Sequence, residues 1–204
     1  MTSATTDPVS LANLRRRAVV LAWATIAWNV IEAVVAIGAG LEAGSLALIG
    51  FGLDSTIEVG SAAVILWQFA GIDEQRERRA LRLIAVSFFA LAAYVTVQAV
   101  VDLATTSEPD TSVVGIALAA LSLVVMPLLA TAKRRTGHRL GSVTVAADSQ
   151  QTWSCTYLSA VLLAGLLLNA AFGWWWADPA AGLVIAALAM REGREAWAGD
   201  SCCD

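Results

Sequence analysis

Five polar side chains that can bind a metal ion stand at helical spacing in two apolar stretches of the sequence. Asp54 and Glu58 are four residues apart, so on a helix both carboxylates share one face, one turn apart. Asp148, Gln151 and Cys155 follow at spacings of three and then four, and therefore share one stripe of a second helix. Carboxylates alone suit magnesium, calcium or manganese, whereas an added thiolate favours zinc, iron, cobalt or cadmium. The pattern predicts one site for a divalent cation between the two helices.

Two of these five residues also allow a structural interpretation. A free cysteine such as Cys155 is more often a small buried hydrophobic residue than a ligand, and Gln151 can form an interhelical hydrogen bond instead of coordinating. Glu32 lies in another apolar stretch, with Asn29 just under one turn before it. We expect Glu32 and Asn29 to line the same pathway, either as proton carriers or as side chains that support the metal ligands.

The composition places most of the chain in a lipid bilayer. Of its 204 residues, 58% are hydrophobic and 15% are charged, which is too apolar for a small soluble domain. Hydrophobicity this high excludes intrinsic disorder, and a net charge of -4 excludes a strongly basic nucleic-acid-binding protein. The three cysteines are too few for the disulfide framework of a small secreted protein.

Charge clusters and Gly or Pro residues divide the apolar sequence into six stretches, each about as long as a membrane span. They are Arg17–Gly40, Ser45–Ala70, Leu81–Thr105, Ser112–Ala132, Ser142–Ala170 and Pro179–Trp197. All six are predicted to be helical, because hydrocarbon offers the backbone no other hydrogen-bond partners. We therefore expect an all-α membrane protein with an N-terminal arm (1–17), a six-helix domain (18–198) and a short tail (199–204).

The thirteen basic residues indicate how the six helices are oriented. They fall before span one, between spans two and three, between spans four and five, and at the end of span six: Arg15, Arg16, Arg17, Arg76, Arg78, Arg79, Arg82, Lys133, Arg134, Arg135, Arg139, Arg191 and Arg194. The connections on the opposite side contain no basic residue. Because cytoplasmic loops are enriched in Lys and Arg, both termini are predicted to be cytoplasmic.

The acidic residues inside the spans have no basic partner in this assignment. Glu32, Asp54, Glu58 and Asp148 lie in span interiors without Lys, Arg or His. Charged groups at this depth are costly and usually face a bundle interior or an aqueous pathway. Either protons or a bound cation must then neutralise the carboxylates, and a transporter can alternate between these two states.

Spans two and five show a weak internal repeat at an offset of 97 residues. Gly44-Ser45 aligns with Gly141-Ser142, and Ala63-Val64 aligns with Ala160-Val161. Because the two spans run in opposite directions, the two halves would be inverted repeats, as in many secondary transporters that bind their substrate near the midplane. Chance similarity between two apolar helices is the alternative.

The segments that carry these residues resemble the two metal-binding helices of the cation diffusion facilitator family. The segments are Gly44-Ser45-Leu-Ala-Leu leading to Asp54-xxx-Glu58, and Ala147-Asp148-xx-Gln151-xxx-Cys155. The resemblance covers about residues 18–198, and Gly173 to Pro179 also looks like that family's passage into span six. It implies a homodimer of six-span protomers that exchanges a divalent transition metal, often zinc, for protons. It also implies Asp54, Glu58, Gln151 and Cys155 as primary ligands, with Asp148 at the neighbouring acidic position.

The sequence departs from that family's pattern in the second pair of ligands. Gln151 replaces the usual His or Asp and Cys155 replaces the following Asp, which leaves the metal and transport itself open. Fewer than ten residues follow span six, so we expect a short form without the family's cytoplasmic metal-sensing domain. His138 is expected to be a solvated loop residue, whereas Cys202 and Cys203 either capture metal or belong to a flexible tail.

Together these features predict an efflux transporter for a divalent transition metal, working as a metal/proton antiporter by alternating access. Zinc is the leading substrate, with cadmium, iron, cobalt or manganese as alternatives, and the outward direction is implied by the resemblance alone. A non-transporting membrane metal sensor or partner subunit is the alternative function. We expect no enzymatic activity, no nucleic-acid partner, and a multi-pass location in a bacterial inner (plasma) membrane.

Overall fold

The part of the chain that the structure describes forms a bundle of six helices. The computed structural model describes residues 8–69 and 74–198, and these two ranges contain no strand. The helices are α1 (Pro8–Ala43), α2 (Leu46–Phe69), α3 (Glu74–Thr105), α4 (Val113–Leu140), α5 (Val143–Phe172) and α6 (Ala177–Ala198). The predicted all-α fold with six helices is therefore confirmed. The predicted tail with Cys202 and Cys203 lies outside the described residues.

Within the described residues, five helices are long and apolar enough to cross a membrane. These candidate spans are Leu11–Ala43, Leu46–Ala63, Arg82–Thr105, Val113–Leu140 and Asp148–Phe172. α6 is the sixth predicted span, and its second half carries the charged residues Arg191, Glu192, Arg194 and Glu195. Large apolar side chains such as Trp23, Val34 and Leu128 are exposed on the outside of the bundle, as expected for a surface that faces lipid.

The C-terminal end of α4 differs from the prediction. The helix does not end at Ala132 but continues to Leu140, so that only Gly141 and Ser142 separate it from α5. The prediction that every basic residue lies in a connection or at a span end is therefore wrong for Lys133, which is buried within α4. The physical reason is the helical register: Ser122, Met126, Ala130 and Lys133 recur at spacings of four, four and three along one buried stripe.

The packing of the helices determines where the predicted site lies. α1 packs beside α2, α4 beside α5 and α3 beside α6, and α2 also contacts α5 and α6. One apolar cluster joins α1, α2, α4, α5 and α6, with Leu48, Phe51, Met126 and Leu162 among its fully buried members. A second cluster joins α3 with α6 and the start of α2. The interior between α1, α2, α4 and α5 therefore contains the acidic residues singled out from the sequence.

The two segments of the predicted repeat begin their helices in the same way. Gly44 and Gly141 both adopt a positive φ, of 66° and 61°, which favours glycine. The serine that follows each glycine accepts a backbone hydrogen bond through its side chain, from Leu48 N–H in α2 (3.2 Å) and from Val145 N–H in α5 (3.5 Å). Each Gly-Ser pair thus reverses the chain and caps the next helix.

Asp178 holds the start of α2 against α6. Its buried carboxylate accepts hydrogen bonds from the Ser45 hydroxyl and from Ala47 N–H, the latter at 3.2 Å. A carboxylate at a helix N-terminus is favourable because the free N–H groups and the helix dipole both attract negative charge. Asp178 therefore positions the helix that carries Asp54 and Glu58.

Candidate metal centre

A buried chain of polar contacts connects α4, α5 and α2 in the middle of the predicted site. The Lys133 ammonium lies 2.7 Å from Asp148 Oδ2 and donates a hydrogen bond to Thr152 Oγ1 at 2.9 Å. The Thr152 hydroxyl lies 2.8 Å from Glu58 Oε1, to which it donates. All four side chains are buried, with exposures of at most 4%. The structure therefore brings Glu58 and Asp148 together, but through Lys133 and Thr152.

This contact corrects the prediction that the acids inside the spans have no basic partner. Asp148 forms an ion pair with Lys133, fifteen residues before it in the chain. A buried ion pair needs further hydrogen bonds to offset the loss of solvation, and the Thr152 hydroxyl accepts one from Lys133. For Asp148, the neutralising cation is therefore supplied by the protein itself.

The predicted sulfur ligand also lies in this region. Cys155 is 1% exposed on α5, and its thiol lies beside the Glu58 carboxyl group. Asp54, one turn before Glu58, is 6% exposed and lies within electrostatic range of Glu58 and Glu32. Gln151 is only half-buried, because the register of α5 directs the next residue, Thr152, toward Glu58.

Glu32 extends the polar interior toward α1 and α4. Its carboxylate accepts a long hydrogen bond of 3.4 Å from the Ser55 hydroxyl of α2 and lies close to Ser122 of α4. Glu32 and Glu58 interact electrostatically. Asn29 is fully buried one turn before Glu32, and its amide nitrogen donates to Thr25 O at 3.0 Å. Both residues predicted to line the pathway are therefore in the interior of the bundle.

Several oxygen atoms of this interior accept no hydrogen bond from the described residues. They are Asn29 Oδ1, Glu32 Oε1, Glu58 Oε2 and Asp148 Oδ1. Buried polar atoms are nearly always paired, because leaving one unpaired costs about 1–3 kcal/mol. Three of these atoms are carboxylate oxygens on different helices, so the arrangement suits a positively charged species that passes between α1, α2 and α5.

The predicted ligands do not converge on a single point. In residues 8–69 and 74–198, no three side chains of His, Cys, Asp or Glu lie close enough together to hold one ion. For Asp148 the contacts give the reason, since Lys133 occupies the space next to it and it reaches Glu58 only through Lys133 and Thr152. A metal ion shared by Asp148 and Glu58 would require Lys133 to move away from Asp148.

Three residues of the site were missed in the sequence. Lys133 and Thr152 form the central contact, and Glu192 of α6 accepts a hydrogen bond from Ser154 and lies within electrostatic range of Asp54. Thr152 stands four residues after Asp148, so its helical spacing was a usable signal. Lys133 shares the spacing of the buried stripe of α4, but it precedes two arginines and therefore resembles the start of a basic loop.

Comparisons with known proteins agree with this architecture. Residues 81–197, more than half of the chain, match the cation efflux transmembrane domain. Transmembrane protein 163 of Xenopus laevis is 25% identical over 191 residues, which are 91% of this chain and 68% of that protein. An uncharacterised transporter of Synechocystis sp. is 28% identical over 154 residues, which are 70% of this chain and 50% of that protein.

The family match includes α4, α5 and most of α3 and α6, and therefore Lys133, Asp148, Thr152 and Cys155. The match to the Xenopus protein covers nearly the whole chain. These findings confirm the family resemblance found in the motifs of α2 and α5. The chain belongs to the cation efflux family, and it is a multi-pass membrane protein of a family of transporters.

Proposed function

We propose that this protein exports a divalent transition metal, with zinc as the leading substrate, in exchange for protons. The observation that carries the proposal is a set of buried carboxylate oxygens on Glu32, Glu58 and Asp148 that accept no hydrogen bond from the part of the chain that the structure describes. These oxygens belong to three helices of a bundle whose family moves cations. A cation that lies between them would satisfy groups that are otherwise costly to bury.

In this proposal Asp54 and Glu58 of α2 and Gln151 and Cys155 of α5 bind the metal, with Asp148 as a neighbouring acid. Carboxylates bind either a metal ion or protons, so each can release one as it takes up the other. Alternating access would expose the α2 and α5 site to each side in turn. Glu32 and Asn29 would carry protons or support the ligands from α1. Cadmium, iron, cobalt and manganese remain alternative substrates.

The assembly and location follow the family. We propose that the protein works as a homodimer, with both termini in the cytoplasm and metal collected from that side. A bacterial inner (plasma) membrane is the proposed location. No enzymatic step enters the cycle, because metal and proton movement need no covalent chemistry.

A non-transporting metal sensor or partner subunit is the second candidate function. Two observations favour it: Asp148 is already paired with Lys133, and Gln151 is only half-buried. A site in which Lys133 stays bound to Asp148 and Gln151 does not face the metal would bind metal without moving it across the membrane. The two functions differ in one measurable quantity, which is the flux of protons that accompanies binding.

The decisive experiment measures metal-stimulated proton movement in proteoliposomes that contain the wild-type protein or the Asp54→Ala variant. Zinc, cadmium, iron, manganese and magnesium are added in turn, and a pH-sensitive dye reports proton flux. We expect a signal for the softer metals that is absent in Asp54→Ala. Zinc binding in detergent without any flux would instead support the sensor, and absence of both would contradict the metal site.

Cys155→Ser is expected to change which metals are transported rather than whether transport occurs. The buried thiol beside Glu58 is the soft donor of the proposed site, and a hydroxyl of nearly the same size is a harder one. The ratio of cadmium to manganese flux should therefore fall at least about tenfold. Cys155→Ala, which removes the side-chain donor altogether, is the control. An unchanged ratio in the serine variant would show that Cys155 only packs the core.

A further inference from the structure

Lys133 is the only lysine of the chain, and the metal/proton exchange proposed above gives it no role. It is 1% exposed and lies two helical turns before the connection to α5. Burying a charge costs free energy, whereas a methionine or leucine would fill the same space without that cost. The position of its ammonium group therefore needs its own explanation.

The ammonium lies between acidic residues of α2 and α5, the two helices of the proposed metal site. It contacts Asp148 Oδ2 directly and reaches Glu58 Oε1 through the Thr152 hydroxyl. One oxygen of each carboxylate thus takes part in this series of contacts. The other two oxygens, Asp148 Oδ1 and Glu58 Oε2, accept no hydrogen bond from the described residues. One oxygen of Asp148 is therefore satisfied by a cation on α4, and one oxygen of Glu58 by the threonine that this cation contacts.

We propose that Lys133 is a tethered cation that competes with the transported metal for Asp148 and Glu58. The inference rests on the proposed transport function and adds a specificity-determining residue to it. The Lys133 ammonium pairs with Asp148 and acts electrostatically on Glu58, so a divalent metal that binds Glu58, with Asp148 as its neighbouring acid, is repelled as long as the ammonium stays there. Metal binding therefore displaces Lys133, and metal release lets it return.

The tether has two consequences for the transport cycle. It weakens metal binding, because each metal ion must replace an ion pair that is already formed in a buried environment. It also limits the excess negative charge that remains in the bundle after the metal leaves, because Lys133 again neutralises Asp148. A monovalent competitor of this kind favours divalent ions over sodium or potassium, which gain too little from the carboxylates to displace it.

A purely structural role for Lys133 predicts something different. The Lys133–Asp148 contact joins α4 to α5 and would then only hold the two helices together. Any substitution that disturbs this joint would loosen the site and weaken metal binding. A competing cation predicts instead that the effect on affinity depends on whether the substitution removes or strengthens the competitor.

Two variants of Lys133 separate these roles when zinc chloride is titrated calorimetrically into the purified protein in detergent. Lys133→Gln removes the cation and should bind zinc at least about tenfold more tightly than the wild type. Lys133→Arg keeps a cation that grips a carboxylate with two parallel hydrogen bonds, and it should bind zinc severalfold more weakly. Weaker binding by both variants, or no change in either, would overturn the proposal.

A third measurement needs no substitution, so it applies even where Lys133→Gln fails to fold. An amine-reactive reagent can modify only Lys133 and the N-terminus, and mass spectrometry separates the two. Saturating zinc should speed modification of Lys133 at least about threefold in the wild type, because the ammonium leaves Asp148. It should not do so in Asp54→Ala. An unchanged rate in a wild-type protein shown to bind zinc would refute the displacement.

Failure of this inference is distinguishable from failure of the proposed function. A wild-type protein that neither binds nor moves zinc contradicts the metal site and, with it, the competing cation. A wild-type protein that binds zinc, with an affinity that Lys133→Gln leaves unchanged, contradicts the competing cation alone.

Discussion

Glu58→Gln is expected to lower metal-dependent flux by at least about 100-fold, which corresponds to about 2.8 kcal/mol. Glu58 is the acid at which the contacts of the site meet: it accepts from Thr152, lies beside Cys155 and interacts electrostatically with Lys133 and Asp54. Glutamine keeps the shape and an oxygen that can still accept from Thr152. The substitution therefore removes little besides the negative charge.

The measurement is zinc flux into proteoliposomes at equal protein content. Glu42→Gln is the matched control, because Glu42 is an exposed residue of α1 outside the polar interior. It should transport zinc at nearly the wild-type rate. A Glu58→Gln protein that transports zinc within about threefold of the wild type would show that this carboxylate does not bind the metal.

Asp148→Asn is expected to lower the free energy of unfolding by about 3–5 kcal/mol, because it leaves the Lys133 ammonium buried without a counter-charge. Both side chains are buried, at 1% and 3% exposure, and their contact of 2.7 Å is short. The double variant Lys133→Met, Asp148→Leu removes both charges and should recover most of the loss. A single substitution in this pair should therefore destabilise the protein far more than replacement of both residues together.

Unfolding by sodium dodecyl sulfate in mixed micelles, followed by tryptophan fluorescence, measures these changes. The exposed pair between Arg191 and Glu195 has a similar distance, 2.8 Å, and provides the control. Glu195→Gln should cost at most about 0.5 kcal/mol, since solvent screens an exposed pair on one helix face. Equal losses from Asp148→Asn and Glu195→Gln would contradict a tightly coupled buried pair.

The helices could be predicted because the apolar stretches are long and the lipid environment allows the backbone few alternatives. The end of α4 could not, because Lys133, Arg134 and Arg135 form a basic run that is typical of a loop. Only two of the three face outward, since Lys133 is buried and Arg134 and Arg135 are exposed. Its burial depends on Asp148, and a contact between residues fifteen positions apart follows from packing rather than from local sequence.

The same limit applies to the ligands on α5. Spacing places Gln151 and Thr152 three and four residues after Asp148, and both intervals keep a residue on the same side of a helix. The choice between them depends on the rotation of α5 against α2, which directs Thr152 to Glu58. The residue types that could bind metal were therefore recognisable from the sequence, whereas the network that connects them was not.

The short connection between α4 and α5 bears on how the chain enters the membrane. With only Gly141 and Ser142 between them, the two helices form a hairpin, and Lys133 and Asp148 lie opposite each other across it. A lone charge carried into hydrocarbon costs at least about 2.5–3.5 kcal/mol, but a hairpin inserted as one unit carries the two charges already paired. The contact between Lys133 and Asp148 would thus also let these two buried charges enter the bilayer together during synthesis.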